Sequence, residues 1–85
     1  MYETIIGNYI KTMSTSDIQN YALEKGIQIN DKDASTLLTV AKKHWLTFYK
    51  GDPSIILQDL KNKIDPTVYK AGIALYKEIK KKINQ

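Results

Sequence analysis

Apolar residues recur along this chain at intervals of three and four in five stretches, with punctuating residues between them. Tyr2, Ile5, Ile6, Tyr9 and Met13 share one face of a helical wheel, which predicts a first helix over residues 2–12 with that face turned inward. Ser14-Thr15-Ser16-Asp17 breaks the period. Ser14 with Asp17, or Ser16 with Gln19, has the spacing of a reciprocal N-terminal cap. A second helix therefore opens there, buries Ile18, Tyr21 and Ala22, and stops at Gly26, the residue that most cheaply turns left-handed. Ile27-Gln28-Ile29 alternates, as an extended connector does when both isoleucines point inward.

Asn30 and Asp33 supply the next cap, for a third helix striped by Ala34, Leu37, Leu38, Ala41 and Trp45. Between Trp45 and Lys50 the period blurs: Trp45, Phe48 and Tyr49 fit either a continuation of that helix or a bend. Asp52-Pro53 and Asp65-Pro66 repeat one device, an acceptor for first-turn N–H groups followed by a ring that needs no donor there. They open a fourth helix, faced by Ile56, Leu57, Leu60 and Ile64, and a fifth running to about Ile83. The stripe of the fifth is Val68, Gly72, Leu75, Tyr76, Ile79 and Ile83. Gly72 costs about 1 kcal/mol there relative to Ala, which a close helix crossing would justify.

No segment carries a sheet-strand pattern, and no internal repeat or interdomain linker divides the chain. The expectation is an all-α fold: one domain over residues 1–85, a compact orthogonal bundle of four or five short helices. Tyr2, Tyr9, Trp45, Phe48, Tyr69 and Tyr76 are expected to fill its core, with Trp45 and Phe48 at the middle.

Composition narrows the chemistry. Eighty-five residues hold one core at most. With no Cys there is no disulfide, no thiolate nucleophile and no Cys-based zinc site. No apolar run approaches the roughly 18 residues that span a bilayer, and the start lacks the layout of a secretion signal, so a cytoplasmic protein is expected. The lone imidazole, His44, reads as an ordinary helix-end histidine. Asp31-Lys32-Asp33 opens like a calcium loop, but Thr36 stands where the glycine belongs and Lys42 where the closing glutamate belongs. Gly7, Gly26, Gly51 and Gly72 are too scattered for a phosphate loop. The chain is therefore expected to be no enzyme, with no cofactor, metal or small-molecule substrate.

All 13 basic residues are Lys, and the formal net charge is +4. Lys, Ile, Asn and Tyr rise together, the mark of an AT-rich genome. Residues 61–85 carry seven Lys against Asp65 and Glu78 (7 − 2 = +5), whereas residues 1–60 carry six against seven acids (6 − 7 = −1). That asymmetry fits an anionic partner or a solvated lysine-rich helix end. On the last helix Lys70, Lys77 and Lys81 group opposite the apolar stripe, with Lys80 and Lys82 flanking it. These five are the candidate phosphate contacts. The same helix is basic and amphipathic, as interfacial helices are, but the core needs its stripe, so no membrane partner is expected. Leu46, Phe48 and Tyr49 are the candidate protein contacts, aromatics being the usual anchors of interfaces.

Two resemblances bear on these expectations. Residues 14–44, with Ile18, Tyr21, Gly26, Ile27, Leu37 and Leu38 in register, resemble the helix–extended loop–helix units of SAP-like nucleic-acid-binding domains. Here Asp31 and Asp33 occupy the helix start that in such modules meets phosphate. Met13, Ser14 or Thr15, Asp17-Ile18, Tyr21-Ala22, Ile27-Gln28-Ile29, Asp33-Ala34, Lys42-Lys43, Phe48, Leu57, Leu60, Ile64 and Asp65-Pro66 form a second pattern, which covers nearly the whole chain from Met13 to about Ile83. That pattern is similar to the YqfT-like family of small all-helical proteins of unknown function from low-GC Gram-positive bacteria. Over 42–50 the chain departs from it: Lys43-His44 stands where an Arg-Gly turn is expected, and no Gly occurs until Gly51. The resemblance implies a cytoplasmic helical protein without assigned activity. The expected role is a non-catalytic protein-interaction module or small homo-oligomer. The alternative is an accessory nucleic-acid-binding protein that meets phosphate through lysines.

Overall fold

The breaks between helices are made largely by local side chains that satisfy backbone groups. In a computed structural model that describes residues 2–83, five α-helices follow one another: α1 Tyr2–Thr12, α2 Thr15–Glu24, α3 Asp31–Lys50, α4 Ser54–Lys61 and α5 Pro66–Ile83. No strand occurs among the described residues.

Both ends of α2 are closed. The Ser14 hydroxyl accepts from the Asp17 N–H at 3.3 Å, and the Asp17 carboxylate accepts from the Ser14 N–H at 2.9 Å, a complete capping box. At the other end Gly26 adopts φ +77°, and the N–H groups of Gly26 and Ile27 donate to the carbonyls of Leu23 and Ala22. That paired arrangement consumes two orphan carbonyls and needs the left-handed glycine. The connector is then stapled to α2 by Gln19, whose amide donates to the Ile29 carbonyl at 3.1 Å and the Asp31 carboxylate at 2.8 Å.

Asn30 caps α3 alone, its side chain accepting from the Asp33 N–H at 2.7 Å. Asp33 does something else. Buried to 6% exposure, it reaches 32 residues along the chain and accepts from the Asp65 N–H at 3.4 Å, joining the starts of α3 and α5. Asp65 in turn accepts from the Thr67 N–H at 2.8 Å, with Pro66 as the first residue of α5. At α4 the device slides by one position: Pro53 occupies the cap, and the Asp52 carboxylate accepts from both the N–H and the hydroxyl of Ser54.

The core is small and aliphatic. Ala22, Ile29, Ala34, Leu60, Ile64 and Val68 are buried together, flanked by Ile18, Ile27, Leu37, Val40 and Tyr69. These residues come from α2, the connector, α3, α4, the α4–α5 turn and α5; none comes from α1. The expected aromatic core is corrected accordingly. Tyr9 is exposed, and Trp45, Phe48, Tyr69 and Tyr76 are only half-buried, so Trp45 and Phe48 do not anchor the middle. The burial of Tyr2 lies outside the described residues.

The region of blurred period is continuous helix, which runs through His44 to Lys50 and closes at Gly51. His44 thus lies mid-helix rather than at its end. The period blurs because α3 serves different neighbours along its length: its early residues join the core, and its later ones meet α1 and α5. At 20 residues α3 is the longest helix, and α5 runs 18 residues from Pro66 to Ile83, as its pattern predicts. The predicted close crossing at Gly72 is also absent, since a methyl group there would meet only a Leu37 methyl at an ordinary 3.8 Å. The close approach sits at Gly7 instead, where an added Cβ would stand 3.0 Å from the Trp45 ring. The radius of gyration, 12.2 Å, compares with about 12 Å for a compact chain of this length.

Candidate protein-contact surface

The approach of Gly7 to Trp45 fixes how α1 lies on α3. Only a residue without a side chain lets the indole sit this close to the helix backbone. Ile5 and Tyr9 are each two residues from Gly7, and at 100° per residue they face about 160° away from it. The apolar face of α1, expected inward, is consequently turned out: Ile5 and Tyr9 are each 59% exposed. Ile6, Ile10 and Met13 lie half-buried at its margins. Glu3, one turn before Gly7, forms an ion pair with Lys50 and ties α1 to the end of α3. That carboxylate raises the Lys50 pKa above its ordinary value, by hydrogen bonding first and by charge second. Beside Trp45 an open groove of about 290 Å³ is lined by Glu3, Thr4, Gly7 and Asn8.

Of the residues predicted as protein contacts, Leu46 is open, at 46% exposure. Phe48 and Tyr49 are half-buried, and Phe48 meets Tyr76 edge to face with ring centroids 5.2 Å apart. Sequence reasoning missed Ile5, Tyr9 and Ile55, the last of which is 82% exposed in the first turn of α4. The available signal was Gly7, opposite an otherwise apolar face.

The predicted phosphate contacts divide. Lys70, Lys77 and Lys81 are exposed along α5. Lys80 is turned inward: its ammonium donates to the Tyr76 hydroxyl at 3.2 Å and the Phe48 carbonyl at 3.5 Å, while Tyr76 donates to the same carbonyl at 3.1 Å. That carbonyl belongs to the last turn of α3, where helical partners run out, so Lys80 and Tyr76 act as its cap. The side chain of Lys82 lies outside the described residues.

A second cleft, of about 260 Å³, opens between the α2–α3 connector and the start of α5. Two helix starts converge there, a setting that favours anions, but the Asn30 side chain already serves the Asp33 N–H at the start of α3, and the carboxylates of Asp33 and Asp65 serve the Asp65 and Thr67 N–H groups at the start of α5. No group of three or more His, Asp or Glu side chains suited to a metal ion occurs among the described residues. No helix among them is long and apolar enough to cross a membrane.

Fold and surface together define a five-helix, all-α domain with one aliphatic core and an apolar face on its first helix. The chain matches no protein-family model, no curated protein and no solved structure.

Proposed function

We propose that this protein is a non-catalytic interaction module that self-associates through the outward face of α1, with Leu46 on the neighbouring end of α3. The observation that carries the reading is the pair Ile5 and Tyr9, one helical turn apart and each 59% exposed. Charge favours a second copy as the occupant. The charged residues of α1 are Glu3 and Lys11, one of each sign, and Glu3 is already paired with Lys50. Both Glu3 and Lys11 lie about 120° or more round the helix from Ile5 and Tyr9, so two such apolar faces can meet without either charge between them.

An 11-residue helix is about 16 Å long and about 10 Å wide. Such a face is far smaller than the ~800 Å² per partner of a stable interface, so the contact is weak and reversible. The same reading makes the protein cytoplasmic and a relative of the YqfT-like family, several of whose matching positions here, such as Ala22, Ile29, Ala34, Leu60 and Ile64, are core residues. Light scattering over a concentration series tests it. Mass should rise with concentration for the natural chain and stay monomeric for Ile5→Gln/Tyr9→Gln with unchanged circular dichroism. A natural chain that remains monomeric throughout, or a variant that associates equally well, contradicts the proposal.

A further inference from the structure

We infer that the solvent face of α5 docks the phosphate backbone of a nucleic-acid duplex through Lys70, Lys77 and Lys81. These three exposed lysines lie within about 40° of one another round the helix, spaced by roughly 10 Å and 6 Å along it. The row therefore extends about 16 Å, and a duplex presents one negative charge per ~1.7 Å of its axis. No ion pair among the described residues neutralises the row.

Glu78, the one acid of α5, faces α2, accepting from the Tyr21 hydroxyl at 3.1 Å and standing 3.9 Å from the Lys25 ammonium. Lys80 is likewise removed, since it serves the end of α3. The row thus presents three exposed cations of one sign along α5.

The surroundings select the kind of polyanion. Single strands need aromatic platforms for their bases. Tyr69 and Tyr76 of α5 are half-buried and lie about a quarter turn or more from the row. An interfacial helix needs a free apolar face beside its lysines, whereas α5 commits Val68 to the core. With lysine alone and no arginine fork, contact with a duplex is to the backbone and carries no base information.

Fluorescence anisotropy of a short labelled duplex of mixed sequence tests this. Three neutralised phosphates give a slope of about −2.7 for log affinity against log salt, or roughly 40-fold weakening between about 50 and 200 mM. Lys77→Gln should flatten that slope by about 0.9, and Lys70→Gln/Lys77→Gln/Lys81→Gln should abolish binding. The control Lys11→Gln/Lys32→Gln/Lys43→Gln removes the same charge from exposed positions on α1 and α3 and should bind as the natural chain does. Circular dichroism checks that both triple variants stay helical; if the first does not, the single-variant slope decides. Absence of binding at the lowest salt, an unchanged slope for Lys77→Gln, or equal loss in both triple variants would overturn the inference. So would tighter binding to phosphatidylserine vesicles or poly-glutamate than to the duplex.

Discussion

Two regions of this small domain are built on different terms. In α2–α5, aliphatic residues from four helices meet in one core, and Asp33 bridges helix starts 32 residues apart in sequence. In α1, by contrast, the contacts on α3 include the Gly7–Trp45 approach and the Glu3–Lys50 pair, while Ile5 and Tyr9 look outward. An amphipathic pattern shows that a helix has a face to bury. It does not say that the chain's own core has room for it.

Substitutions separate the regions most sharply. Leu60→Ala leaves a cavity in the shared core and should cost about 2–5 kcal/mol. Ile5→Ala should change stability by no more than about 0.5 kcal/mol, because its side chain is largely in water. Urea denaturation of both variants measures the contrast, and similar losses would erase the distinction.

The two helical glycines provide a finer test with opposite signs. At Gly72 the space for a methyl group is free, so Gly72→Ala should stabilise by up to about 1 kcal/mol through helix propensity. At Gly7 the added methyl meets the Trp45 ring at 3.0 Å, so Gly7→Ala should cost about 1 kcal/mol net and shift the emission of the only tryptophan. Two stabilising substitutions would mean that the ring yields and that Gly7 does not set how α1 docks.

The smallest effects are those of pH. Glu3 raises the pKa of Lys50, so this pair's contribution is fully present below the ordinary lysine value of about 10.5 and is lost as pH rises through the raised value. Partial burial, and then the hydrogen bond to Glu78, raise the Tyr21 pKa, which gives a loss in the same alkaline window, above about pH 10. The Ser54 donors hold Asp52 below the usual carboxylate range; its contribution is present above about pH 4 and is lost as pH falls through the lowered value. Urea midpoints should therefore decline gently at both extremes, and Lys50→Met should remove part of the alkaline decline only.

How much could be read beforehand follows from the range of each interaction. The stop at Gly26 and the Asp65-Pro66 start involve residues within a few positions of one another, so pattern alone located them, and it narrowed the α2 cap to two pairs, of which the structure takes Ser14 with Asp17. The bond from the Asp65 N–H to Asp33 spans 32 residues, and the Asp33 position looked like an ordinary cap for α3. Lys80 stood beside the apolar stripe on the wheel, but its role depends on α3 ending at Lys50, where the period had blurred. For α1 the spacing was helical, yet its orientation was decided by one glycine against one indole on another helix.

Residue-resolved hydrogen exchange under native conditions tests the central claim most directly. If α1 is an outer helix on a core complete without it, its amides should exchange through openings several kcal/mol cheaper than those that release Leu60, Ile64 and Val68. Equal protection in α1 and in these core residues would contradict the account and make α1 part of the same cooperative unit.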